Sequence, residues 1–111
     1  MKYMMLLFDE EQDEDMSPEA MAPWIKFGED AKAIAKEVAG EALQPSTTAR
    51  VVSVRDGKAI TTNGPLADTK EQLGGFYIFD CANLEVAIKL ASMIPCAPTG
   101  HVEVRPVVEF G

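Results

Sequence analysis

Phe76-Tyr-Ile-Phe-Asp-Cys-Ala-Asn-Leu-Glu-Val-Ala-Ile-Lys-Leu-Ala-Ser-Met-Ile-Pro95 is the stretch whose reading decides the fold. Phe76 to Phe79 are four consecutive apolar residues of high strand preference, so the strand they form is apolar on both faces and must be covered on both. Asn83 then supplies a helix cap, and Leu84, Ala87, Ile88, Ala91 and Ile94 recur at helical steps and face inward until Pro95 stops the helix. The chain opens on a related pair of patterns. Lys2 to Phe8 reads as a strand with Tyr3, Met5 and Leu7 on one face and Met4, Leu6 and Phe8 on the other. Ser17-Pro18-Glu19 reads as an N-cap, a first-turn proline and an acid favourable to the helix dipole. Met21, Trp24, Gly28, Ala31, Ala35 and Val38 share one face of the helix that follows, which Gly40 closes.

Between these halves, Arg50 to Arg55 and Ala59 to Thr62 flank Asp56-Gly57, a strong signal for a two-residue hairpin turn. The last strand, His101 to Val108, alternates, with Val102 and Val104 on one side and His101, Glu103 and Arg105 on the other. The order is β-α-β-β-β-α-β, which predicts one α+β domain over residues 1–111, a ferredoxin-like sandwich with an added strand. Two helices cover only one face of such a sheet. The two-sided strands therefore predict a second subunit on the other face, a homodimer.

Composition narrows the function classes. The net charge of −8 opposes binding to a nucleic-acid backbone or an anionic membrane surface, both of which need Lys and Arg. The apolar runs fall short of the roughly 20 residues a membrane helix needs, and the N-terminus reads as a strand, with no signal-peptide cleavage site. The acidic run Asp9 to Asp15 lacks the glycine of a calcium loop and reads as a solvated loop. Cys81 and Cys96 are not a C-x-x-C pair and read as reduced thiols of a cytoplasmic protein. The intervening helix, roughly 16 Å long at 1.5 Å per residue, exceeds the reach of a disulfide, about 7 Å between Cα atoms. With a single His and no Cys or Ser in an elbow motif, neither a metal, a haem nor any other cofactor is expected, and a nucleophilic triad has no support.

The segment from Asn63 to Tyr77, Asn-Gly-Pro-Leu-Ala-Asp-Thr-Lys-Glu-Gln-Leu-Gly-Gly-Phe-Tyr, sets both charge signs between a Gly-Pro turn and a Gly-Gly pair directly before the decisive strand. Together with the opening Tyr-x-x-Leu-Leu strand, the segment Leu43 to Arg55 and the closing Gly100-His-Val-Glu-Val-Arg-Pro106, it resembles the YCII-related proteins of the DGPF type. The resemblance runs over most of the chain. It implies a ferredoxin-like fold of the dimeric α/β-barrel type, sheets facing each other, a cleft near the signature loop and a frequent genomic association with extracytoplasmic-function sigma factors; it supplies no established reaction. This chain departs from the pattern at Asn63, where the family has Asp, at Leu66, where it has Phe, and at Asp68, where it has Glu. Asn cannot exchange a proton near neutral pH. The early-helix His that more distant YCII proteins pair with an Asp has no counterpart, because residues 1 to 100 contain no His.

Asp68, Glu71 and His101 are the candidates for acid-base work, and Asn63, Asp68, Lys70, Glu71 and Arg105 for ligand binding, with Lys70 supplying positive charge to a polar or anionic small molecule. The competing reading is that Lys70 and its neighbours pair with one another and brace the loop. Three functions follow: a small-ligand-binding or regulatory dimer serving a sigma factor, a small enzyme acting on a polar metabolite in the dimer cleft, and a purely structural dimer. The binding reading ranks first, because the relatives' acid-base residues are replaced.

Overall fold

A computed structural model describes residues 1–13 and 15–110; Glu14, within the acidic run, and Gly111 lie outside the described residues. The described elements are β1 (Lys2–Glu10), α1 (Pro18–Lys32), β2 (Lys36–Ala42), a short 3-10 turn (Ser46–Thr48), β3 (Arg50–Arg55), β4 (Lys58–Asn63), β5 (Glu71–Asp80), α2 (Leu84–Ser92) and β6 (His101–Pro106). Strands β2, β5, β1 and β6 form, in that order, an antiparallel four-stranded sheet. Connectivity and strand order are those of a ferredoxin-like α+β fold. The expected class holds, with one strand more than the sequence reading counted. Strands β3 and β4 pair with each other in a separate two-stranded sheet.

The extra strand is β2, and it corrects the reading of the first helix. That helix starts as expected, with the Ser17 hydroxyl accepting from the Ala20 amide, but it ends at Lys32 with Ala33 as its cap. Gly40 is therefore no helix terminator. It sits in β2 opposite Tyr77, and a Cβ added there would lie 2.7 Å from the Tyr77 ring. The second helix starts where expected, Asn83 Oδ1 accepting from the Val86 amide, and stops at Ser92, short of Pro95. Ala87, Leu90, Ala91 and Ile94 are buried, whereas Leu84 and Ile88, expected inside, are exposed.

The core lies between the helices and one face of the sheet. Tyr3, Met5, Leu7 and Phe79 from the strands meet Phe27 and Ala31 from α1 and Ala87, Leu90 and Ala91 from α2. Phe27, Tyr77 and Phe79 form an aromatic cluster with ring centroids 5.4 to 6.0 Å apart, in tilted and edge-on arrangements. Cys81 and Cys96 are buried and unbridged, and burial is the main cause raising both thiol pKa values.

Among the described residues the opposite sheet face carries no helix. Register places Met4 beside Ile78 and Arg105, Leu6 beside Phe76 and Glu103, and Phe8 beside Leu73 and His101. Six apolar side chains thus form three cross-strand rows on an uncovered surface.

Candidate functional site

The polar candidates gather at one end of the uncovered face, where β1 ends and β5 begins. Glu71 lies opposite Glu10 across the β1–β5 ladder, and His101 lies opposite Phe8 across the β1–β6 ladder. The His101 ring reaches over β1, and its Nδ1 is 2.8 Å from Glu71 Oε1. That hydrogen bond, followed by the Glu71 charge, raises the imidazole pKa above its ordinary 6.5. The His101 side chain is 80% exposed and that of Glu71 32%. Nε2 of His101 has no protein partner among the described residues.

Lys70, the residue before β5, places Nζ 3.1 Å from Glu10 Oε1. Its partner is thus an acid at the end of β1, rather than Asp68 or Glu71. Four titratable side chains, Glu10, Lys70, Glu71 and His101, converge beside Phe8. Arg105 stands two rows away, with Nε donating to Glu103 Oε2 at 2.7 Å. Asp68 is exposed and makes no hydrogen bond or ion pair among the described residues. Asn63 ends β4 opposite Arg50 and belongs to the hairpin, apart from this cluster.

The signature loop is braced by its own backbone. Gln72 Nε2 donates to the carbonyls of Ala67 and Thr69 at 2.9 Å each, the Thr69 hydroxyl donates to the Glu71 carbonyl at 2.7 Å, and the Gly64 amide donates to the Ala49 carbonyl at 2.8 Å. A second brace joins the acidic run to the start of the hairpin connection: the Ser46 amide donates to Glu11 Oε2 at 2.6 Å and its hydroxyl to Glu11 Oε1. These bonds hold the Glu11 carboxyl below the usual range. A third fixes the start of β6, where the Thr99 hydroxyl donates to Asp9 Oδ2 at 2.7 Å and Gly100 packs against the Phe8 carbonyl so closely that no side chain fits.

Sequence reasoning missed Glu10 as the partner of Lys70, and it named Glu71 and His101 without joining them. The strand alternation was the usable signal, since it set His101 on the uncovered face; the Glu71 contact depends on β1–β5 register. Among the described residues no group of three or more His, Cys, Asp or Glu side chains is arranged to hold a metal ion.

A second concavity, a cavity of about 380 Å³, opens on the helix side of the sheet between α1 and β5. Met21, Trp24 and Tyr77 form apolar walls, and Gly40, Gly74 and Gly75 lie along the strands. None of the polar candidates borders it.

The chain is similar to an uncharacterised protein of Rhizobium meliloti (strain 1021), with 43% identity over 70 residues, 61% of this chain and 56% of that protein. The match thus spans little more than half the length of that relative. The family model described as the YCII-related domain matches residues 1–111. With the antiparallel β6-β1-β5-β2 sheet, two helices on one face and a match along the whole chain, the protein belongs to the YCII-related domain family.

Proposed function

We propose that this chain is a small-ligand-binding or regulatory homodimer that receives a polar or anionic molecule at the end of its uncovered sheet face. The observation that carries the reading is the His101–Glu71 pair. Glu71 ties Nδ1 and favours the charged imidazolium, so Nε2 stands beside an apolar surface as a cationic N–H donor whenever the ring is protonated. Lys70 adds a second cation, partly neutralised by Glu10. In a chain of net charge −8, the two cations here offset Glu10 and Glu71, so an anion meets less repulsion at this end of the face than over the acidic surface around it. A regulatory role beside an extracytoplasmic-function sigma factor, implied by the DGPF-type resemblance, is the cellular setting we propose for it.

A thermal-shift screen of metabolites against the wild-type protein tests the reading. A ligand of this site stabilises the wild type and loses most of that stabilisation in His101→Gln and Lys70→Ala, both of which fold. Equal stabilisation of all three proteins by every hit would remove the site assignment.

The same pair favours one alternative, acid-base chemistry on a polar metabolite, because a carboxylate that orients an imidazole is the arrangement general catalysis uses. In that case Glu71→Gln lowers turnover and moves the pH profile, without weakening substrate binding in proportion.

A further inference from the structure

We propose that the β3–β4 hairpin is an arm that clasps a second copy of this chain, an inference that rests on the dimer reading above and adds a second contact to it. Among the described residues, strands β3 and β4 pair only with each other and share no ladder with the main sheet. A lone two-stranded hairpin is at best marginally stable in water. This one is tied at its root by the Gly64–Ala49 hydrogen bond and by the Glu11–Ser46 brace. Beyond the root it leaves the body: the radius of gyration is 16.0 Å, against about 13 Å for a compact chain of this length. Val52, Val54 and Ile60 are 62%, 59% and 48% exposed on it.

Charge selects the occupant. Arg50, Arg55 and Lys58 against Asp56 give residues 50–63 a net charge of +2, which leaves −10 for the rest of the chain. A basic, apolar-sided arm on an acidic body is complementary to the body of another copy. The uncovered sheet face offers what the arm lacks, apolar Leu73 and Phe76, with Glu41 opposite Phe76 and unpaired among the described residues, whereas Glu71 and Glu103 already hold His101 and Arg105. A nucleic acid fits poorly, since three cations on the arm are outweighed by the repulsion of the body.

Sedimentation equilibrium on the intact chain, at low and high salt, tests the arm. Val52→Ser/Val54→Ser and Arg55→Glu/Lys58→Glu each raise the dimer dissociation constant about tenfold or more, and salt weakens the wild-type dimer more than the charge-reversed one. Hydrogen exchange on the wild type gives a reading independent of any variant: amides of residues 50–63 gain protection as concentration rises through the dimer transition. A wild-type monomer at micromolar concentration would remove the dimer reading and the arm with it. A wild-type dimer whose variants associate as tightly, or whose arm exchanges at the same rate at every concentration, would remove the arm alone.

Discussion

His101 is the only histidine in the chain, which makes its protonation directly observable. Because the Glu71 hydrogen bond and charge raise its pKa, the pair contributes stability below the ordinary imidazole pKa, and that contribution is lost as pH rises through the elevated value. The group is exposed, so the effect on folding is small and the ring is the better reporter. In an NMR titration the His101 ring protons move at a midpoint above 6.5, and Glu71→Gln returns that midpoint toward the ordinary value. A midpoint unchanged by Glu71→Gln would break the pairing. At this scale the sequence was half legible. The alternation of Val102 and Val104 with His101, Glu103 and Arg105 puts the histidine on the uncovered face, and the structure agrees. Its partner was hidden because Glu71 and His101 are 30 residues apart and meet only through the register of two strands on either side of β1.

Strand β2 shows why the element reading failed where it did. Lys36-Glu-Val-Ala-Gly-Glu-Ala42 consists mostly of helix-forming residues, and Ala35 and Val38 continue the helical spacing of α1. Pairing with β5 overrides that preference, and the register shift between Glu37 and Ala39 spoils the alternation that would have betrayed a strand. The hairpin was legible for the opposite reason: Asp56 and Gly57 stand at φ 50° and 75°, the left-handed pair that Asp-Gly supplies at a tight turn. Two glycine substitutions separate the two roles. Gly40→Ala drives a methyl group into the Tyr77 ring, which Phe27 and Phe79 hold from the other side, and lowers the urea midpoint by the equivalent of about 1–3 kcal/mol. Gly28→Ala, in the helix with open space around the new methyl, raises it by about 0.5–1 kcal/mol. If Gly40 ended a helix, its substitution would leave Tyr77 undisturbed.

The whole molecule is a slab of 49 × 42 × 18 Å, with its apolar interior on one side of the sheet and an apolar exterior on the other. The two-sided patterns of β1 and β5 make this arrangement readable in the sequence, since three residues of β1 have no interior to enter. Phe76 lies in the middle row of the uncovered face, between Leu6 and Glu41. If the dimer proposed above closes over this face, Phe76→Glu produces a folded monomer by sedimentation where the wild type is a dimer, with the far-ultraviolet spectrum of the wild type. A Phe76→Glu dimer would place the interface elsewhere. The extended hairpin was legible as a hairpin but not as a projection, because its strands read no differently from those of a strand pair inside the sheet. One property of the cavity between α1 and β5 reaches beyond architecture. Trp24, the single tryptophan of the chain, forms part of its wall. The protein thus carries a native fluorophore at that hollow, and the colour and quenching of its emission give an optical record of whatever enters, with no label attached.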